Sequence, residues 1–219
     1  MTGTKSFFVR TSGCNLRCWF CDTPYASWHP EGERQSVADL LELARRSETR
    51  HVVLTGGEPL ISPHLSTLCD GLRRHGFHVT IETSGTVLPS GWERLDVLCN
   101  LLSLSPKLRG SGPNPRQHAA WASRHERRRM PSDIMRKLIE RSAAFQVKFV
   151  VDDPTEFDEI DDVVAQLSVT PDHVWIMPQG TTVATLDEAK PWLGPLADTR
   201  GYHYCDRMQI RWFGNRRGT

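Results

Sequence analysis

The chain has 219 residues, with 27 basic and 26 acidic side chains and a formal net charge of +1. This balance excludes a strong overall attraction to nucleic acid or to an anionic membrane, so binding of either kind would need a local patch. The sequence contains neither the apolar N-terminal segment of a signal peptide nor the roughly 18 consecutive apolar residues of a membrane span. We therefore expect one cytoplasmic domain over residues 1–219, without nucleic-acid or membrane binding.

The predicted elements alternate between strand and helix along most of the chain. Apolar and β-branched residues predict strands at 5–11, 51–55, 78–82, 97–104, 146–151, 174–177 and 202–213. Helices are predicted at 64–75, which Gly76 would cap, and at 132–144, 156–167 and 186–196, and one more begins after the N-cap Ser36. Segment 12–34 is predicted to be a loop, and 107–129 is the least regular stretch. This alternation indicates an α/β fold with a parallel sheet.

Several polar or glycine-containing segments directly follow predicted strands. These segments are Gly56-Gly57-Glu58-Pro59, Ser105-Pro106-Lys107 and Met177-Pro178-Gln179-Gly180. In a parallel sheet or barrel the carboxyl ends of the strands lie at one edge, where binding sites form. We therefore expect these segments to contribute to one site, with the two glycines of the first segment allowing the backbone to approach a ligand closely.

Three of the six cysteines, Cys14, Cys18 and Cys21, form a C-x3-C-x2-C motif, whereas Cys69, Cys99 and Cys205 are scattered. Thiolates are the ligands of iron–sulfur clusters, and three of them leave one iron of a four-iron cluster open to chelate a small molecule. Structural zinc is an alternative, but the nearest fourth ligand, His29, is distant. A redox pair of Cys18 and Cys21, or three disulfides, are further alternatives.

Seven segments together resemble the radical S-adenosylmethionine (SAM) superfamily and, within it, the 7-carboxy-7-deazaguanine synthase family. They are residues 8–18, 21–23, 55–59, 82–86, 105–107, 148–150 and 212–219. The 105–107 and C-terminal segments are those that favour this family within the superfamily. The resemblance implies a partial, modified (β/α) barrel of the radical SAM type.

The resemblance also implies roles for individual residues. A [4Fe–4S] cluster would be held by Cys14, Cys18 and Cys21, and Mg²⁺ by Thr23. SAM would be bound by Phe20, Asp22, Gly57, Glu58, Ser105, Pro106, Lys107, Met177, Pro178, Gln179 and Gly180. The substrate would be bound by Arg10, Thr55 and Thr219.

The implied activity is that of a radical SAM carbon–nitrogen lyase of queuosine biosynthesis, a tRNA modification pathway. A flavodoxin or ferredoxin would reduce the cluster, and SAM would yield a 5′-deoxyadenosyl radical. That radical would take a hydrogen from 6-carboxytetrahydropterin, whose ring would contract with loss of ammonia to give 7-carboxy-7-deazaguanine. The resemblance also implies a homodimer. The cofactor supplies the radical chemistry, and the protein supplies positioning and exclusion of water.

Two features depart from the family pattern, and both concern the substrate pocket. The family has an earlier strand and a Gln-Gly-Glu-Gly loop, whereas here Gly3 aligns just after that loop, and Gln209 stands where a histidine is frequent. We therefore expect the chain as written to be weak or inactive, and an upstream segment with that loop to restore activity. The rivals are an activase that makes a glycyl radical on a partner protein and a zinc-stapled binding module.

The stretch 107–136 is rich in arginine and poor in acidic residues. We interpret it as a solvated helix face rather than an RNA-binding surface, because the implied reaction acts on a free pterin.

Overall fold

The computed structural model describes residues 3–218, and these contain a sheet of seven parallel strands. The strands are β1 Phe7–Thr11, β2 His51–Gly56, β3 His78–Thr83, β4 Leu101–Leu104, β5 Phe145–Val151, β6 Val174–Pro178 and β7 His203–Tyr204. Each strand pairs with the next one in the chain, so β1 and β7 lie at the two edges and do not pair with each other. The predicted α/β fold with a parallel sheet is confirmed.

Helices connect the strands and cover one face of the sheet. They are α1 Pro24–Ser27, α2 Val37–Arg46, α3 Leu65–Arg74, α4 Leu95–Leu98, α5 Pro115–Arg128, α6 Ser132–Glu140, α7 Glu156–Leu167, α8 Val183–Asp198 and α9 Met208–Phe213. The predicted caps are confirmed, since Ser36 forms a reciprocal capping box with Asp39, and Gly76 follows α3 with a φ of 76°. Among residues 3–218, no helix is long and apolar enough to cross a membrane.

The apolar core lies between the sheet and its helices, in two adjoining parts. One part joins β1–β4 to α2, α3 and α4, and the other joins β4, β5 and β6 to α6, α7 and α8. Burying one leucine or phenylalanine side chain in such a core stabilises the fold by about 1.5–3 kcal/mol. Strand β5 shows the consequence of two-residue alternation: Val147, Phe149 and Val151 are buried under the helices, and Lys148 between them lies on the opposite face. We call this opposite face the inner face.

Two predicted strands were too long. Residues 97–104 form the end of α4 and then β4, because the Asn100 side chain accepts hydrogen bonds from Val79 N and Arg73 and fixes where the strand begins. The predicted terminal strand 202–213 is only the short β7 followed by α9. Short apolar runs suit either a helix or a strand, so the sequence pattern could not separate the two.

Most of the stretch 107–129, expected to be the least regular, is the 14-residue helix α5, whose exposed arginines agree with the interpretation of 107–136 as a solvated helix face. Its buried side includes polar and aromatic residues, such as His125 and Trp121, so the apolar periodicity that predicts a helix is weak. Segment 12–34 is mostly loop, as predicted, with one helical turn, α1.

Candidate cluster and cofactor site

The cysteine loop, residues 12–34, leaves the carboxyl end of β1 and packs on the glycine turn, residues 56–59, at the end of β2. Three backbone hydrogen bonds fix the contact: Gly13 N to Ala26 O (2.9 Å), Glu58 N to Gly13 O (2.9 Å) and Gly57 N to Thr11 O (3.0 Å). The neighbouring ends of parallel strands thus bring the cysteine motif and the glycine turn together, as predicted.

The glycines of the turn also allow a close approach within the protein. A Cβ atom on Gly57 would overlap the backbone of Gly13 and Ala26, and one on Gly56, whose φ is 139°, would overlap Thr11. The chain that approaches these glycines is therefore the cysteine loop itself. A side chain here would push the two loops apart.

The thiols of Cys14, Cys18 and Cys21 are free and half-buried. Burial raises the pKa of Cys14 and raises that of Cys18 to about 12, while the nearby Lys107 ammonium acts in the opposite direction on both. Within residues 3–218 no three His, Cys, Asp or Glu side chains converge to hold a single metal ion. The ligands of an iron–sulfur cluster need not converge in this way, since each binds a different iron.

Helix α5 supports the cysteine loop from the side. The fully buried His125 ring accepts a hydrogen bond from Arg17 N at Nδ1 (3.2 Å), and its Nε2 lies 2.9 Å from Ser111 Oγ. Burial lowers the pKa of His125 to about 4, so the ring is neutral at pH 7. A neutral ring protonated at Nε2 satisfies both contacts, because Ser111 Oγ in turn donates to a backbone carbonyl.

Aromatic rings surround the middle of the cysteine motif. The Arg17 guanidinium stacks 3.9 Å from the centre of the Trp121 ring of α5. The Trp28 indole donates to Cys18 O (3.1 Å) and contacts the His118 ring. These contacts fix the backbone on both sides of Cys18.

Glu58 is fully buried, and both of its carboxylate oxygens accept hydrogen bonds within the protein. Oε1 accepts from Leu60 N (3.0 Å) and the Thr83 hydroxyl (2.6 Å), and Oε2 accepts from Ser84 N (2.9 Å) and the Ser84 hydroxyl. The carboxylate thereby joins the glycine turn to the end of β3. With its side chain engaged in this way, the turn presents mainly its backbone to a ligand.

Two further contacts join strand ends to the cysteine loop. Asn15 exchanges hydrogen bonds with the Thr86 hydroxyl after β3 (2.9 and 3.2 Å). After β4, Lys107 Nζ donates to Ser105 O (2.7 Å) and Oγ (2.8 Å), and Pro106 between them is buried. The predicted Ser105-Pro106-Lys107 segment therefore lies beside the cysteines, where the lysine charge acts on two of the thiols.

The residues that follow Cys21 contact the C-terminal part of the chain. Asp22 forms an ion pair with Arg207, whose side chain is only 6% exposed. The Thr23 side chain precedes α1 at the N-cap position but makes no capping hydrogen bond. Its hydroxyl lies 3.8 Å from Cys21 Sγ, and Phe20 on the other side of Cys21 packs edge-on against Trp19.

A charged group lies on the inner face of the sheet. Arg10 on β1 is in register with Thr55 on β2, and Lys148 Nζ on β5 lies 3.4 Å from Glu82 Oε1 on β3. Lys148, a hydrogen bond from the Thr55 hydroxyl and the Arg10 charge all lower the pKa of Glu82, and Glu82 raises that of Lys148. We call these four residues the inner polar group.

The remaining predicted site residues lie at the end of β6, except for Thr219. Met177 and Pro178 end the strand, Gln179 N donates to Val151 O (2.8 Å), and Gly180 adopts a φ of 149°. Thr219 lies outside residues 3–218.

Four residues important to this geometry were not predicted as site residues: His125, Arg207, Glu82 and Lys148. The last two were quoted only as parts of family segments. A signal was available for them, because a charged residue in the middle of an otherwise buried strand indicates a specific partner. Nothing local to the sequence distinguishes His125 or Arg207 from surface residues.

Three free thiols therefore lie beside the glycine turn at the carboxyl edge of a parallel sheet, and comparisons identify the class of protein. The model of the radical SAM superfamily matches residues 8–141, more than half of the chain. This chain belongs to the radical SAM superfamily, as predicted, and is an enzyme that uses SAM and a [4Fe–4S] cluster.

Similarity to curated proteins is closer still. A 7-carboxy-7-deazaguanine synthase of Rhodopirellula baltica is 60% identical over the whole chain, which covers 83% of that relative. One from Halobacterium salinarum is 40% identical over 96% of the chain and 83% of the relative. Within the superfamily the chain belongs to the 7-carboxy-7-deazaguanine synthase family, which confirms the prediction over the activase and zinc-module rivals.

Solved structures of low identity confirm the partial barrel. SuiB of Streptococcus suis bound to S-adenosylmethionine has a TM-score of 0.64 at 13% identity, with 96% of this chain and 52% of that chain covered. The native anSMEcpe with bound AdoMet has a TM-score of 0.60 at 16% identity, with coverages of 95% and 66%. The chain thus spans about half to two thirds of the length of these structures.

Proposed function

We propose that this chain converts 6-carboxy-5,6,7,8-tetrahydropterin to 7-carboxy-7-deazaguanine, with release of ammonia, in queuosine and deazapurine biosynthesis. The family supplies the reaction. The inner polar group is the structural observation that supports this substrate, because it places two cations and one carboxylate on the face of the sheet that adjoins the cysteine loop.

The charges of the inner polar group suit a pterin carboxylate. Glu82 pairs with Lys148, so Arg10 retains a positive charge for an incoming anion. A guanidinium binds a planar carboxylate through two parallel hydrogen bonds. Glu82 is 38% exposed and accepts N–H donors of the kind found on a pterin ring. Thr55 completes the proposed substrate-binding set on this face.

The cofactor site has matching roles. The cluster and SAM, when bound, supply the 5′-deoxyadenosyl radical chemistry. Cys14, Cys18 and Cys21 hold the cluster, and the Lys107 charge favours the thiolate form that ligation requires. The proposed SAM contacts are Phe20, Asp22, the backbone of Gly57 and Glu58, Ser105-Pro106-Lys107 and Met177-Pro178-Gln179-Gly180. These residues orient SAM and exclude water.

Thr23 is our proposed ligand for Mg²⁺. Its hydroxyl caps no helix, although it stands at the N-cap of α1, so its oxygen is available to a hard cation. Mg²⁺ takes few protein ligands and completes its shell with water or substrate oxygens. An ion on Thr23 would therefore orient the substrate rather than SAM.

Further partners follow from the reaction. The cluster needs an external reductant, and we propose a flavodoxin or a ferredoxin. We also propose a homodimer, as the family resemblance implies, and residence in the cytoplasm, where the free cysteines would stay reduced.

The test is turnover of 6-carboxytetrahydropterin by reconstituted protein with SAM, a reductant and Mg²⁺, with product identified by mass spectrometry. Arg10→Ala should lower kcat/KM for the pterin most strongly, by about 100-fold, because a charge-assisted contact to a carboxylate is lost. Arg10→Lys serves as the charge-retaining control. Because the chain as written is expected to be weak, a form extended with an upstream segment that carries the Gln-Gly-Glu-Gly loop is tested beside it. Cleavage of SAM by both forms without turnover of the pterin would contradict the proposed substrate.

A further inference from the structure

The exposed side of α5 is strongly basic. Its basic face consists of Arg116, Arg124, Arg127 and Arg128, all exposed. Arg109, on the turn that precedes the helix, is paired with Glu159 of α7 and is not part of this face. The only acidic residue of α5, Glu126, is paired with Arg129. The chain as a whole carries a net charge of only +1, so this face is a local concentration of positive charge.

The basic face borders the cysteine loop. The same helix that carries it holds the loop through His125 and Trp121, as described above, and Arg128 Nη1 lies 3.3 Å from Asn15 O. Residues three and four apart lie on the same side of a helix, so Arg124 lies on one surface with Arg127 and Arg128. This surface is continuous with the contact between Arg128 and Asn15. A protein bound to the basic face would therefore lie close to the cluster ligands.

An exposed aromatic residue stands beside this surface. Trp19 directly follows Cys18, and its side chain is 50% exposed. Its backbone N–H donates to Ser111 O (3.1 Å), and its indole N–H donates to Gly110 O (2.9 Å), next to Arg109. The ring is thus held in place although much of it remains in contact with solvent. Tryptophan and arginine are the residues most enriched at the energetic centres of protein interfaces.

We propose that Trp19 and the basic face of α5 form the docking surface for an acidic one-electron donor protein of the flavodoxin type. The inference rests on the proposed function, because it identifies the partner that the cluster requires. One electron leaves the reduced flavin of the donor and enters the cluster. Charge complementarity selects the partner, because the four exposed arginines of α5 attract an acidic protein.

Binding is the first test, measured as the dissociation constant of oxidised flavodoxin for the cluster-reconstituted protein. Arg124→Glu/Arg127→Glu should weaken binding at low ionic strength by about tenfold or more, and the difference should shrink at high salt. The matched control is Arg74→Glu/Arg141→Glu, which reverses two exposed arginines elsewhere and should leave binding within about twofold of the parent despite the same change in net charge. Trp19→Ala should also weaken binding without lowering the iron content.

Two reductants separate docking from catalysis. With flavodoxin, SAM cleavage by Arg124→Glu/Arg127→Glu should slow at limiting donor, whereas with dithionite it should equal that of the parent. Equal flavodoxin affinity in parent and variant would overturn the proposal, and so would an equal loss with dithionite, which would show a structural defect. Displacement of flavodoxin by RNA bound at Arg124 and Arg127 would also overturn it. If only the pterin reaction fails, the proposed function is contradicted. The docking proposal is then still decided by the measured flavodoxin affinities.

Discussion

The cysteine loop and the glycine turn lie side by side at one edge of the sheet, yet they are stabilised in opposite ways. The glycine turn is four residues long and is organised around the buried Glu58 carboxylate, which accepts four hydrogen bonds. The cysteine loop spans more than twenty residues, contains a single helical turn, and is held by side chains from distant segments, namely His125, Trp121 and Arg207.

This difference matches what each segment contributes. The Glu58 side chain of the turn is fully engaged in hydrogen bonds within the protein. The turn is therefore a rigid backbone support for the cysteine loop that packs on it. The loop is supported from outside by neighbours that leave the thiols of Cys14, Cys18 and Cys21 and the hydroxyl of Thr23 available. A binding site needs such externally fixed but chemically available groups.

The largest expected effect comes from removing a thiol of the loop. Cys14→Ala, Cys18→Ala or Cys21→Ala should each abolish stable cluster binding, because the cluster would lose one of its three thiolate ligands. Anaerobic reconstitution followed by iron analysis and absorption spectroscopy measures this. Cys69→Ala and Cys205→Ala, outside the loop, should keep their iron. Stoichiometric zinc without iron in the parent would contradict the site assignment.

The next largest effect should come from the carboxylate of the turn. Glu58→Ala would leave buried donors of Leu60, Thr83 and Ser84 without acceptors, and we expect the free energy of unfolding of the apo-protein to fall by about 4 kcal/mol. Urea denaturation measures the change, and weaker SAM binding should accompany it. The free energy of unfolding of Glu58→Gln should lie between those of the parent and of Glu58→Ala, since the amide keeps one oxygen acceptor. If Glu58→Ala were as stable as the parent but failed to bind SAM, the carboxylate would contact SAM directly.

The next prediction concerns how His125 of α5 supports the cysteine loop, which can be tested through the pH dependence of stability. Burial lowers its pKa in the folded protein to about 4, below the ordinary value of 6.5, so the unfolded state takes up the proton first. The stability due to the neutral ring should be complete above pH 6.5 and should fall, by on the order of 3 kcal/mol, as the pH drops toward 4.

The control for this test is His125→Gln, which retains hydrogen-bonding capacity but does not titrate. Urea denaturation of both apo-proteins between pH 4 and 7.5 should show a smaller acid loss in the variant. The burial of His51 and His78 lowers their pKa values too, and their contribution is common to both proteins. Parallel pH curves for the two proteins would exclude a role for His125.

The smallest effect should come from the ion pair between Asp22 and Arg207. Arg207→Ala removes the partner of Asp22, which precedes Thr23 in the chain. We expect the Mg²⁺ concentration for half-maximal pterin turnover to rise by about tenfold, because residues that orient metal ligands typically affect metal affinity to this extent. Iron content should be unchanged, and Arg207→Lys should restore part of the Mg²⁺ response. Arg94→Ala, which breaks a surface pair with Asp70 outside the cysteine loop, is the matched control. A loss of iron in Arg207→Ala would show that the pair supports the loop as a whole.

Much of the fold could be predicted from the sequence, and the structure brings the predicted cysteine motif, glycine turn and Ser105-Pro106-Lys107 segment together, as expected. Strand and helix patterns were correct for β2, α3 and α7, where the apolar pattern is clear. They did not give the bounds of α5, whose buried side is not uniformly apolar. The elements at the end of the chain failed because a short apolar run such as that of α9 suits either structure.

The sequence alone determined the cluster motif, because the three thiols lie within eight residues and their spacing is a local property of one loop. It also placed the polar segments at strand ends, which parallel topology gathers at one edge. Only the tertiary structure decided that His125 supports Arg17, that Arg207 pairs with Asp22 and that Lys148 pairs with Glu82. These partners are 108, 185 and 66 residues apart. Contacts across such separations are set by how the sheet and helices pack, and no local pattern of residues encodes them.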